Sequence, residues 1–119
     1  MANVYTTVGK QMVVDQIDGT KATPTFKVAW GTGAGTAVVG DTTLFTEASE
    51  TRVTTTQSQP AADKNQFLGT ITADGSKTIT NAGIFDAASS GNMYLKSDFT
   101  GIALVLGDSI QFTFTLQQT

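Results

Sequence analysis

"SIQFTFTLQ", residues 109–117, sets Ile110, Phe112, Phe114 and Leu116 against Gln111, Thr113 and Thr115 in strict alternation. Successive side chains of a strand point to opposite faces, so this is the pattern of a β-strand with one face buried and the other in water. Upstream, "GIALVL" (101–106) alternates in the same way through Ile102, Leu104 and Leu106, and Gly107-Asp108 supplies a reversal. Residues 101–117 are therefore expected to form a hairpin. A second hairpin is expected where "QFLGTITA" (66–73) and "KTITNAGIF" (77–85) flank Asp74-Gly75-Ser76, because Asp-Gly tolerates positive φ.

Shorter strands follow at "TFKVAW" (25–30), with Phe26, Val28 and Trp30 on one face, at "TRVTTTQ" (51–57) and at "NMYLKS" (92–97). The turn-rich pieces "QPAADKN", "DAASSGN" and "SDFTG" separate them. About seven strands at this spacing, with no long helical period between them, predict an all-β fold, an antiparallel β-sandwich of jelly-roll-like form. The expected core is Phe26, Val28, Trp30, Phe67, Ile71, Ile79 and Ile84, with Phe85, Leu95, Ile102, Leu104, Ile110, Phe112 and Phe114.

One or two short helices complete the prediction. In "GKQMVVDQIDG" (9–19) Val13, Val14 and Ile17 follow a helical spacing and Gly19 closes the segment. In "DTTLFTEASE" (41–50) Asp41 or Thr42 is placed to cap a helical turn or two, with Glu47 near its start. The 119 residues suit a single domain over 10–119, preceded by an amino-terminal arm, "MANVYTTVG" (1–9), that orders against a neighbouring subunit.

Composition narrows the function. The chain has no His and no Cys, which removes imidazole bases, thiolate nucleophiles and the usual zinc ligands. The seven cations, Lys10, Lys21, Lys27, Arg52, Lys64, Lys77 and Lys96, stand singly and the net charge is −3, so no basic stripe for nucleic acid is expected. No long apolar segment suggests a membrane span or a secretion signal. Asp41, Glu47 and Glu50 lie near one another in sequence, where a glycosidase pair could be imagined, and they read better as solvated surface. Asp15 and Asp18 with Gly19 lack the later ligands of a calcium loop. No catalytic, cofactor-binding or metal-ligating residue is assigned.

"WGTGAGTA" (30–37) invites comparison with a phosphate loop. Its glycines stand at 31, 33 and 35, with Thr36 where a dinucleotide fingerprint needs its third glycine, and no Lys lies between Lys27 and Lys64. It is expected to be a wide loop leaving a strand. The Thr ranks in "VTTT" and "FTFTL" reflect β propensity, and Trp30, Tyr5 and Tyr94 are few for a sugar platform.

Taken in order, "GKQMVVDQIDG", "VAWGTGAGTA", "DTTLFTEASETRV", "FLGTITADGSKTITNAGIFDAASSGNMYLKSDF" and "GDSIQFTFTL" resemble the small virion structural proteins of tailed bacteriophages, which include capsid decoration (cement) proteins and tail or baseplate components. Residues 79–99 are also similar to an adhesin-like domain of tail-fibre proteins, although Asn81-Ala82 stands where that pattern usually carries an acidic residue. The resemblance implies a non-enzymatic virion protein, assembled in the host cytoplasm. Its partners would be the major capsid protein or other virion proteins, and it would form a homo-oligomer, plausibly a trimer, with neither cofactor nor contact to nucleic acid or membrane. A capsid cement role leads, and a tail, collar or fibre role and a host-surface glycan module are the alternatives.

Overall fold

The computed structural model describes residues 3–22 and 24–117. Two antiparallel sheets and one short helix make up the fold, and the sheets stay open at their edges. The strands are β1 (Asn3–Tyr5), β2 (Lys27–Gly31), β3 (Val53–Thr54), β4 (Thr56–Ala61), β5 (Lys64–Thr72), β6 (Lys77–Phe85), β7 (Met93–Leu104) and β8 (Ser109–Gln117). The larger sheet has the order β1-β7-β6-β2-β3 and the smaller the order β4-β5-β8.

The core lies between the sheets. Val28, Trp30, Ile79, Ala82, Ile84 and Leu95 meet Phe67, Ile71 and Leu116 there, with Phe26 between the rings of Phe67, tilted to it, and Tyr94, edge-on, each at 4.9 Å. The pairings Val28↔Ile84 and Ile84↔Leu95 keep these residues on one face, as cross-strand partners must be. Trp30 contacts Phe112 edge-on at 6.2 Å.

Both expected hairpins turn out to be arches between sheets. β5 and β6 lie in different sheets, and so do β7 and β8. The turn residues explain this. Neither Asp74 nor Gly75 takes positive φ, and at 105–108 only Gly107 does (φ 92), with Asp108 N donating to Val105 O at 3.0 Å. Hairpin turns matched to strand twist need positive φ at the first central residue; other turns splay the strands. An alternating pattern serves equally for two strands of one sheet or for two that face each other across a core. The hairpins that do form are β4–β5, across Ala62-Asp63, and β6–β7, across residues 86–92.

"SDFTG", expected to be a turn, lies within β7. There the register slips between Ile79↔Ile102 and Asn81↔Asp98, so residues 99–101 bulge opposite Thr80. Ile102, expected in the core, is 41% exposed. It faces the same side as buried Ile79, but β1 reaches only Leu95–Ser97, which leaves β7 outermost at that point. Ile110, Phe112 and Phe114 are half-buried for a related reason, since β8 has a partner strand on one side only.

Helix α1 (Thr7–Ile17) starts two residues earlier than expected. Thr6 caps it, its hydroxyl accepting from Gly9 N at 3.0 Å and donating to Met93 O. Met12 is buried and Val13 packs against the core, whereas Val14 and Ile17 point into solvent. Residues 3–9 of the expected arm lie against the domain as β1, paired with β7, and the first turn of α1; residues 1 and 2 fall outside the described residues. No helix forms over 41–50. Asp41 instead closes a turn by accepting from Val38 N at 3.0 Å, and the chain beyond it is irregular, with bends and a positive φ of 52° at Thr46.

Candidate interaction surface

Residues 32–50 form a third layer over the outer face of the larger sheet. That face carries Ala29, Asn81, Gly83, Phe85, Met93 and Lys96, opposite to the core-facing Val28, Trp30, Ala82, Ile84 and Leu95; the register slips on β6 and β7 also leave Ile79 in the core. Leu44 packs into it against Ala29, Phe85 and Met93. This roof explains why β6 is buried continuously from Asn81 to Phe85 rather than alternately.

The glycines of "WGTGAGTA" are the seat of the roof. A Cβ on Gly31 would meet Phe45 O at 2.5 Å, one on Gly33 would meet Thr46 Oγ1 at 2.7 Å, and one on Gly35 would meet the Phe45 ring at 2.7 Å. Their alternate spacing places all three hydrogens toward Phe45 and Thr46. The amides of the loop are engaged as well, Thr32 N donating to Thr46 O at 2.9 Å and Gly33 N to Phe45 O at 2.8 Å. The stretch is the loop expected to leave the strand, and its glycines let it lie close against Phe45 and Thr46.

Side chains complete the anchorage. Asn81, fully buried, accepts from Phe45 N at 3.0 Å and donates to Phe45 O at 3.1 Å, acting as a strand partner would. Thr80 donates to Gly33 O. Lys96, 1% exposed, donates to Asp41 Oδ2 at 3.0 Å and Thr43 O at 2.9 Å, with Nζ 3.3 Å from the Phe45 ring centroid. Asp98 accepts from Ala37 N at 2.7 Å. Arg52 grips Glu47 through two hydrogen bonds of 2.8 and 2.9 Å, donates to Ala87 O and Ser90 O, and stacks on Phe85 at 3.7 Å.

The carboxylates considered for catalysis are therefore spread over separate structural tasks. Asp41 serves Lys96, Glu47 serves Arg52, and Glu50 accepts from Trp30 Nε1 at 2.8 Å while pairing with Lys77. Burial pushes the Asp41 and Glu50 carboxyls up, but hydrogen bonds outweigh it and hold both below the ordinary carboxylate range: from the Val38 amide and Lys96 for Asp41, and from Lys77, Trp30 and the Asp74 amide for Glu50. Lys77 is raised by its hydrogen bond to Glu50, against burial and with help from Asp74. Of the aromatics considered for a sugar platform, Trp30 and Tyr94 are 1% exposed, and Tyr5 alone reaches the surface in part. Asp18 ends α1, and Asp15 contributes its carbonyl to Thr20.

The open part of the surface lies where the sheets fail to close. Between β1 and β7 on one side and β8 on the other runs a cleft of about 540 Å³ lined by Val4, Tyr5, Leu95, Phe99, Phe112 and Phe114. The sequence places Phe112 and Phe114 among the mostly buried core residues, whereas both are half-buried beside this cleft. Sequence reasoning also missed the buried cations Arg52 and Lys96. A signal was present for Lys96, which sits inside the apolar run "NMYLKS" of a strand that has neighbours on both sides. No protein-family model matches this sequence, and no curated protein matches it.

Proposed function

We propose that the protein is a virion structural protein of a tailed bacteriophage, and specifically a capsid decoration protein that lies across capsid subunits and strengthens the shell. The observation that carries this reading is the division of the surface: the buried ionisable groups serve as internal clamps, while an uncharged sheet edge and a cleft of mixed apolar and polar lining stand open. Such a surface suits contact with neighbouring protein rather than turnover of a substrate. The ordered resemblance of the whole chain to small virion structural proteins supports the virion reading. Within the β6–β7 hairpin, Asn81, Asp86, Asn92 and Lys96 hold the roof and the connecting loop in place.

A jelly-roll-like winding goes with this proposal, since the chain changes sheets at Thr55, at 74–76 and at 105–108. The partner is the major capsid protein, and the location is the virion. The test compares particles with and without this protein, heated while genome release is followed. Release at a lower temperature without the protein supports the cement role. Equal release curves, with the protein located on the tail, would support a tail, collar or fibre role instead, the second reading that the likeness of residues 79–99 to fibre domains favours.

A further inference from the structure

We infer that two copies of this chain join through their β8 strands, in antiparallel register centred on Thr113, to make one continuous sheet. The inference rests on the free edge of the smaller sheet and stands whether or not the protein belongs to a virion.

The four edges of the two sheets are unequal. β1 has 3 residues and β3 has 2, and β4 carries Pro60 within an irregular register. Short length, proline and bulges are the usual devices that keep an edge from pairing. β8 has none of them: it runs for 9 residues, pairs with β5 without a register shift, and contains neither Pro nor a charged side chain. A long, flat, uncharged edge is a template for another strand.

The occupant follows from the residues themselves. Read outward from Thr113, "SIQFTFTLQ" is close to a palindrome: Phe112 matches Phe114, Gln111 matches Thr115, Ile110 matches Leu116 and Ser109 matches Gln117. In an antiparallel pair centred on Thr113 each of these faces its counterpart on the other copy. The apolar residues then oppose one another on the core side and the polar ones on the solvent side. A slip by one residue would set Phe against Thr throughout, and a slip by two keeps the faces matched but leaves residues at the strand ends unpaired, so centring on Thr113 pairs all nine residues of the strand. A twofold axis also brings any charge near it against its own copy, and this strand holds none. Across the axis the half-buried Phe112 and Phe114 gain the neighbours that a β8 at the edge of a single molecule lacks.

Sedimentation of the wild-type chain at concentrations from micromolar to several hundred micromolar tests the idea directly. A reversible monomer–dimer equilibrium is expected. A chain that stays monomeric throughout, or that forms a trimer, overturns it. Thr113→Lys is expected to abolish the dimer with an unchanged far-UV spectrum. Should that variant fail to fold, Thr113→Cys gives an independent reading, because the sequence has no other cysteine. Mild oxidation should link it into covalent dimers much faster than Gln57→Cys on the blunted β4 edge, and equal rates for the two would overturn the inference.

Discussion

Gly33 and Gly40 stand seven positions apart and do opposite things. A methyl group at 33 would press on Thr46 Oγ1 and the Phe45 backbone at 2.7–2.9 Å, whereas at 40 it would meet nothing within 4 Å. Gly33→Ala is therefore expected to lower stability by about 1–3 kcal/mol, as overpacking does, and Gly40→Ala to change it by less than about 0.5 kcal/mol. Thermal unfolding of the pair measures the seat directly. Asn81→Ala should cost about 1–3 kcal/mol for a different reason, since it leaves the part-buried Phe45 amide without its acceptor and removes one of the two donors to the Phe45 carbonyl.

Titration acts at the same scale. Glu50 and Asp41 titrate below their ordinary values, so the folded state binds fewer protons than the unfolded chain over the interval between. Their stabilisation is complete above the unfolded value of about 4 and is lost as pH falls through the folded one. Lys77 is shifted up, so its contribution is complete below about 10.4 and is lost as pH rises through its folded value. The Tyr94 phenol is pushed up to about 12, chiefly by burial and then by the nearby Asp86 charge, and adds to the alkaline loss from about pH 10 onward. The melting temperature should hold a plateau from about pH 5 to about 9.5 and fall on both sides. Glu50→Gln should flatten the acid limb; an unchanged limb would show that other groups set it.

Among the elements, β8 is the one whose burial is unfinished. Phe112→Ala should cost less than the roughly 3–5 kcal/mol of a fully enclosed Phe, because the ring is only half covered, while Phe67→Ala should reach that range. Deleting residues 1–9 should lower the melting temperature, because it removes both β1 and the Thr6 cap of α1. Strand positions were legible because alternation is local, and α1 because its apolar spacing and closing glycine are local too. The pairing of strands was not legible: Asp74-Gly75 has the residues of a hairpin turn, and only backbone angles that the sequence leaves open decide between hairpin and arch. Residues 41–50 had local reasons to be helical, and contacts with Gly31, Gly33 and Asn81 overrode them. The glycine spacing was visible as a pattern, but its meaning lay in Phe45, a residue that nothing local connects to it.

For the whole molecule, function lies in what it touches. A protein that binds an assembled shell better than its separate subunits stabilises the shell by mass action, about 2.7 kcal/mol per site at a hundred times the dissociation constant, so many modest contacts sum to a large effect. In the proposed reading the open cleft is the surface available for such contacts, and Lys96 and Arg52 tie Asp41, Thr43 and Glu47 to the larger sheet. The most direct measurement is immunogold electron microscopy, with an antibody to this chain, of purified particles assembled from the genome that encodes it. The account predicts label distributed over the capsid shell. Label confined to the tail, or absent from the particles, would contradict it.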